Sequence, residues 1–185
     1  MHKTRLTVAL ILAATITLTA SATAQSERFL ANAVTMGSVS GTARVEFTIE
    51  RWTTDAERQR FLDILTEQGE GALVDALQEA GGVGRVRVNT RLSYPISYAF
   101  QHAGPDGSRR IVFATDRPIS AFEAVNRTRT MDYAVSLAEL NLPAEGSGEG
   151  TLMVAALITL DEANDTLAME HFGQAPVRLR NVRVR

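Results

Sequence analysis

Alternation of apolar and polar side chains is the feature of this sequence that most limits its fold. Within residues 41–50, the apolar residues Val45, Phe47 and Ile49 alternate with charged and hydroxyl side chains. The same period of two recurs in residues 83–89. Because successive side chains of a strand point to opposite faces of a sheet, this pattern predicts strands with one buried face.

Short turns separate the predicted strands and favour antiparallel pairing. Pro105-Asp106-Gly107 is one such turn, since proline fixes φ and glycine accepts a positive φ. A glycine-rich link at residues 145–150 is a second. Parallel strands would need crossovers of about a dozen residues or more. Further strands are predicted at residues 96–100, 110–115, 132–142, 151–160, 166–172 and 176–184.

Two helices are predicted after the strand at residues 41–50. Thr54 and Glu57 form a capping-box pattern, and an apolar stripe at helical spacing follows them. Gly69 ends this helix, and a second spans about residues 71–80. The sequence therefore predicts an α+β fold. It has a mostly antiparallel β-sheet of about 7–8 strands, curled toward a half barrel, with a helical hairpin inserted after the first strand.

The first 24 residues have the three parts of a secretory signal peptide. Lys3 and Arg5 supply the positive charge, an apolar run follows, and Ala22-Thr23-Ala24 fits a cleavage site. The run is too short and too rich in threonine for a membrane span, which needs about 20 apolar residues. We therefore predict an exported, periplasmic or secreted bacterial protein. Its parts are a signal peptide at 1–24, a loose segment with at most one weak strand at 25–40, and a single α+β domain at 41–185.

Composition excludes several classes of function. The chain has no cysteine, so disulfides, thiolate metal sites and a cysteine nucleophile are ruled out. It carries 19 basic and 21 acidic side chains, and loss of Lys3 and Arg5 with the signal makes the balance more acidic. This charge argues against a general nucleic-acid binder. No stretch after the signal is apolar enough to span a membrane, so we expect a soluble mature protein.

The motifs of common enzyme classes do not occur. His102 and His171 are the histidines outside the signal, and they lack the close ligand spacing of zinc sites. The run Gly37-Ser38-Val39-Ser40-Gly41 lacks the spacing and the strand–helix context of a serine nucleophile elbow. No glycine-rich segment opens a helix as a phosphate-binding loop does. We therefore predict no metal and no cofactor.

The segment from Thr115 to Tyr133 is the best candidate for a site, because long connections in compact domains often carry function. A packed loop that covers the open end of the sheet is the alternative. The candidate binding residues are Asp116, Arg117, Asn126, Arg127, Arg129, Asp132 and Tyr133. The carboxylates considered for acid–base chemistry are Asp116, Glu123, Asp132 and Glu139.

Arginines line one face of two predicted strands, and they allow two interpretations. One strand spans residues 177–185, where a register slip at Asn181 predicts a bulge, and the other carries Arg85 and Arg87. The arginines could form a cationic face for an anionic polymer or lipid headgroup. Alternatively, they pair across strands with Glu46 and Glu50 on the outer face of the sheet. The acidic balance and the lack of interleaved aromatic residues favour the second interpretation.

The run GTARVEFTIERW at residues 41–52 resembles a group of small exported bacterial proteins. Residues 54–58, 114–119 and 176–183 add to the resemblance. The resemblance implies an exported protein, and it implies no activity, catalytic residue or partner.

The leading functional prediction is a non-enzymatic periplasmic or secreted module that binds a small ligand or an envelope component. One alternative is a secreted hydrolase that uses carboxylates or His171. Another is a structural envelope protein that assembles through a sheet edge. The sequence leaves the oligomeric state open.

Overall fold

The computed structural model describes residues 26–35, 41–89, 92–119, 135–154, 157–170 and 176–185. The predicted signal peptide lies outside these residues. The helices are α1 (Asp55–Gln68) and α2 (Glu70–Glu79). The strands are β1 (Glu27–Thr35), β2 (Gly41–Ile49), β3 (Gly84–Val88), β4 (Leu92–Ala103), β5 (Arg109–Thr115), β6 (Leu137–Leu142), β7 (Gly148–Met153), β8 (Leu157–Asp161), β9 (Thr166–Glu170) and β10 (Val177–Val184).

Eight of these strands close into an antiparallel barrel with up-and-down connectivity. Strands β1 to β6 each pair with the next strand in the chain, β7 pairs with β10, and β10 returns to β1. The predicted α+β class, antiparallel sheet and helical hairpin are confirmed. The sheet closes completely rather than stopping at a half barrel, because β1 pairs with β2 on one side and β10 on the other.

Strand β1 lies in the segment for which the sequence predicts a loose conformation with at most one weak strand. It is nine residues long and pairs with β2 along its whole length. Its inward residues are Phe29, Ala31 and Ala33, all of them buried. Two of the three are alanine, so the apolar alternation is faint in the sequence. In the barrel these small side chains leave room for larger ones opposite.

Three phenylalanines fill the middle of the barrel. Phe113 stacks on Phe47 with ring centroids 5.1 Å apart, and its centroid lies 6.1 Å from that of Phe29. All three rings are almost completely buried. The interior of an eight-stranded barrel is just wide enough for side chains to fill it. In the described residues, therefore, the interior is a packed core.

A second apolar layer lies outside the barrel, beneath the helices. Strand β5 contributes to both layers, since Ile111 and Phe113 point inward while Val112 and Ala114 point outward. Phe61 and several neighbours from α1 and α2 cover these outward residues. This explains why β5 appears in the sequence as a continuous apolar run, a pattern typical of a strand buried on both faces.

Strands β8 and β9 form a separate hairpin that completes the outer layer. The sequence predicts one strand over residues 151–160, but β7 ends at Met153 and β8 pairs only with β9. The chain leaves the barrel here because Ile158 and Leu167 pack into the outer apolar layer.

Arg110 fastens this hairpin to the barrel. Its guanidinium group donates to Glu139 of β6 at 2.9 Å and to Asp161 of β8 at 2.6 Å. A second tie is the hydrogen bond between the hydroxyl groups of Tyr98 and Thr166, which are 2.9 Å apart. The hairpin is therefore held by polar contacts as well as by apolar packing.

Helix α1 begins as the sequence predicts. The hydroxyl of Thr54 accepts the Glu57 N–H at 3.2 Å, and the Glu57 carboxylate accepts the Thr54 N–H at 2.8 Å. Gly69 lies between the two helices with a φ of 86°. That left-handed conformation favours glycine, which has no β-carbon. The capping box and the glycine together fix both ends of α1.

We expect Glu57→Gln to remove stability at neutral pH but not in strong acid. Hydrogen bonds from Arg51, at 2.9 Å, and from Thr54 lower the pKa of Glu57 to about 2. A lowered pKa in the folded state contributes stability that is complete above the unfolded pKa, about 4.5, and is lost as the pH falls toward 2. Because the side chain is 39% exposed, we expect at most about 1 kcal/mol.

Urea unfolding of the wild type and the variant between pH 7 and pH 2.5 measures this effect. Glu67→Gln is the control, because Glu67 is exposed on the same helix and forms no ion pair with a described residue. A difference between Glu57→Gln and the wild type that stays constant over this pH range would contradict the prediction.

Candidate functional site

Two of the seven predicted binding residues, Asp116 and Arg117, lie in the described part of the chain. Their side chains pair with each other, with Arg117 donating to both carboxylate oxygens of Asp116 at 2.9 and 2.8 Å. This pairing uses the groups that would contact a ligand. The other five predicted binding residues lie outside the described residues: Asn126, Arg127, Arg129, Asp132 and Tyr133.

The hydroxyl groups of Thr115 and Ser136, at the start of the predicted site segment and just after it, hold neighbouring parts of the chain together. Thr115 accepts the Ser136 N–H at 2.9 Å, and its hydroxyl lies 2.6 Å from the Arg117 carbonyl oxygen. Ser136 accepts the Ile119 N–H at 2.9 Å and donates to the Val154 carbonyl. Both side chains are buried. These contacts give Thr115 and Ser136 a structural role.

The carboxyl groups with displaced pKa values do not suit general-acid chemistry. Burial by itself would raise the pKa of Glu139, but hydrogen bonds from Arg110 and Asn141 lower it overall. Hydrogen bonds likewise lower the pKa of Glu57, Asp106 and Asp161. General acids at neutral pH need a raised pKa. The candidate residues Glu123, Asp132 and His171 lie outside the described residues.

The cleft between α1 and α2, about 790 Å³ in volume, is broad and acidic. Asp63, Glu67, Asp75 and Glu79 lie along it, with Arg60 as its one cation. In the part of the chain that the structure describes, no three histidine or carboxylate side chains lie close enough to hold a metal ion. Solvated acidic side chains on a helical hairpin do not by themselves make a site.

The arginines of the described segments fall into three groups: those in ion pairs, those on β1, β2 and β10 without one, and three others that also form no ion pair with a described residue, which are Arg60, Arg87 and Arg185. Six form ion pairs with carboxylates: Arg51, Arg58, Arg85, Arg109, Arg110 and Arg117. Five exposed arginines of β1, β2 and β10 form none with a described residue; we call them the arginine face, and they are Arg28, Arg44, Arg178, Arg180 and Arg183.

The order of the strands explains why the arginines of β10 lack the predicted partners. Arg85 of β3 reaches Glu50 at 2.5 Å, so the predicted cross-strand pairing exists there. Strand β10, however, has β1 and β7 as neighbours, and its arginines do not lie opposite Glu46 or Glu50. For β10 the predicted pairing is therefore wrong.

Register also brings the arginine face together. Asn32 of β1 pairs with Arg44 of β2 on one side and with Arg180 of β10 on the other. Residues paired in this way point to the same face of a sheet. Because neighbouring strands lie about 4.8 Å apart, the arginines of β10 and β2 are roughly 10 Å apart across β1.

A bulge interrupts β10 at the position that the sequence predicts. Asn181 has a φ of 52°, and the pairing with β7 shifts between Leu179 and Val182. Asparagine is among the few residues that tolerate this left-handed conformation. The extra residue leaves Arg180 and Asn181 both exposed, while Val182 returns to the interior.

Two clefts meet at Asn181. The first, the β7 cleft, has a volume of about 460 Å³ and lies between residues 147–151 and residues 178–181. The second, the β2 cleft, has a volume of about 220 Å³. Its lining residues are Leu30, Ala31, Asn32, Arg44, Asn181 and Arg183. Each cleft thus contains two members of the arginine face.

This surface has the chemistry of an anion receptor. Guanidinium groups stay charged at any physiological pH, and each can donate two parallel hydrogen bonds to an oxyanion. The arginines of β10 stand out in the sequence, whereas Arg28 and Arg44 do not. The signal that joins them is the order of the strands, which the local pattern does not contain.

Among the helices of the described segments, none combines the length and the apolar character needed to cross a bilayer.

Comparisons of this chain with models of protein families, with curated proteins and with solved structures find no match. A function must therefore be inferred from the contacts and charges of the chain itself.

Proposed function

We propose that this protein is a non-enzymatic binding module that recognises an anionic ligand through the arginine face. The observation that carries the proposal is the gathering of five exposed arginines on β1, β2 and β10, none with a described carboxylate partner. Like charges gathered on one face of a sheet repel one another. The full chain has a net charge of −2, so this concentration of positive charge does not follow from a basic composition.

The packed interior supports an external binding surface. Phe29, Phe47 and Phe113 occupy the space in which other eight-stranded barrels hold a small ligand. Arginine also supports binding rather than proton transfer, because its side chain does not lose its proton in proteins. The signal-peptide pattern of residues 1–24 supports a ligand of the cell envelope or the surrounding medium.

Heparin-affinity chromatography tests this proposal with single-charge substitutions. We expect Arg180→Gln to elute at clearly lower salt than the wild type and to weaken binding about fivefold, because an exposed charge-assisted hydrogen bond contributes about 1 kcal/mol. Arg60→Gln is the matched control, since Arg60 is exposed on α1 and also forms no ion pair with a described residue. Equal elution shifts for the two variants would refute a specific arginine face.

A further inference from the structure

We infer that the ligand is a soluble polyanion that carries phosphate or sulfate groups and places one group in each cleft beside Asn181. This inference rests on the proposed function and adds the valence and the chemical class of the ligand. A ligand with a single anionic group would occupy one cleft and leave the other empty.

The division of the arginines into two pairs carries the inference. Arg178 and Arg180 line the β7 cleft, whereas Arg44 and Arg183 line the β2 cleft. The β7 cleft lies between β7 and β10, and the β2 cleft crosses β1. The two clefts therefore lie on opposite sides of β10, with their middles about one and a half strand spacings, roughly 7 Å, apart, so a single tetrahedral anion seated in one cleft leaves the other free. A chain of linked anionic groups can engage both pairs together.

Asn181 joins the two clefts and is held in a rare conformation. It lines both clefts, and its φ of 52° lies in the left-handed region. Non-glycine residues in such conformations cluster at functional sites. The amide offers a donor and an acceptor at the point where a ligand would pass from one cleft to the other. The bulge also turns Arg180 and Arg183 to the same side of β10.

The surroundings favour a soluble polyanion over other anionic partners. The outward positions of β1, β2 and β10 carry no aromatic side chain, so bases of a nucleic acid would find no stacking surface. Val184 is the one large hydrophobic residue that is well exposed in the described segments. A membrane surface is bound more strongly when apolar side chains can insert among the lipids. Phosphate and sulfate groups suit the paired guanidinium groups directly.

Calorimetric titration of the purified protein with orthophosphate, tripolyphosphate and long-chain polyphosphate tests the valence. We expect long-chain polyphosphate to bind at least about a hundredfold more tightly than orthophosphate, because the second contact becomes intramolecular. Arg178→Gln/Arg180→Gln and Arg44→Gln/Arg183→Gln should each lower polyphosphate affinity about tenfold or more. Replacing all four arginines should lower the affinity by less than the product of the two separate effects, because removing either pair already abolishes the two-site contact.

The experiment separates failure of this inference from failure of the proposed function. If orthophosphate and polyphosphate bind equally well, or if one arginine pair alone matters, the anion site stands and the two-cleft ligand is refuted. If no anion binds, and if replacing either arginine pair leaves the salt concentration of heparin elution unchanged, the proposed function itself fails. Dextran sulfate in place of polyphosphate distinguishes a sulfated from a phosphorylated source. Tighter binding to single-stranded oligothymidylate or to phosphatidylglycerol vesicles would overturn the assignment to a soluble polyanion.

Two substitutions within the β7 cleft sharpen the test. Glu149 is the carboxylate in that cleft, and Glu149→Gln should strengthen polyphosphate binding about threefold by removing a repulsion. Asn181→Gly keeps the left-handed backbone conformation accessible but removes the amide, so it should weaken binding without lowering the melting temperature by more than a few degrees. Unchanged affinity in both variants would place the polyanion outside this cleft and contradict the inference.

Discussion

Replacing Phe113 with alanine should destabilise the protein by about 3–5 kcal/mol, one of the largest effects expected of any single side chain here. Phe113 is 1% exposed and contacts the rings of both Phe29 and Phe47. Because β5 is paired with β4 on one side and β6 on the other, the strand is held against moving inward to fill the space that the ring leaves. The loss therefore includes the cavity as well as the lost burial of the ring.

Urea unfolding at neutral pH measures this effect, with Val184→Ala as the control. Val184 is 51% exposed, and we expect its truncation to change the free energy of unfolding by less than about 0.5 kcal/mol. A small effect at Phe113 would mean that the barrel interior is not a packed core. It would also reopen the interior as a place for a ligand, so this variant bears on the functional argument.

Replacing Arg110 with methionine should release the β8–β9 hairpin and destabilise the protein by about 2 kcal/mol. The change leaves the Glu139 and Asp161 carboxylates, which are 24% and 19% exposed, without their shared partner. Removing one partner of a fully buried ion pair costs about 3–5 kcal/mol, and partial exposure to solvent reduces that value. The contact that is lost joins β5 and β6 of the barrel to β8.

The effect of Arg110→Met should depend on pH. The pKa values of Glu139 and Asp161 are lowered in the folded state, so the stability that Arg110 contributes is present above the carboxyl groups' unfolded pKa values. It is lost as the pH falls through their lower, folded values. We therefore expect the difference between the wild type and the variant to be largest near pH 7 and to shrink in acid.

Urea unfolding at several pH values and amide exchange of β8 and β9 measure these changes. Adding Glu139→Gln and Asp161→Asn to the variant should restore part of the lost stability, because the uncompensated charges disappear. Arg117→Met serves as the control, since Arg117 is exposed and its ion-pair partner among the described residues is Asp116 beside it. Full protection of the hairpin amides in Arg110→Met would show that β8 and β9 are held without Arg110 and would contradict the prediction.

The sequence predicts those parts of the fold that depend on local chemistry. Thr54, Glu57 and Gly69 mark the limits of α1, and Pro105-Asp106-Gly107 marks the β4–β5 turn. Barrel closure is not predicted, because it depends on β1, whose inward alanines give little apolar contrast. The separation of β8 from β7 is also missed, since a change of sheet leaves no local signal in an apolar run.

The candidate site shows the same division between local and non-local information. The register slip at Asn181 is visible in the sequence because two exposed residues, Arg180 and Asn181, follow one another in an alternating strand. The absence of carboxylate partners is not visible, since it depends on which strands are neighbours. Arg44 joins the arginines of β10 only because β1 lies between β2 and β10.

Closure of the barrel has a consequence for the order of folding. All barrel pairings between β1 and β7 join strands that follow one another in the chain, whereas the β1–β10 seam pairs Leu30 with Arg183. Contacts between distant residues form slowly, because the intervening chain must first be brought together. We therefore expect the seam to form last, after the hairpins. Until then β1 and β10 are open edges, and the arginines of β10 oppose pairing with another unfinished chain by charge repulsion.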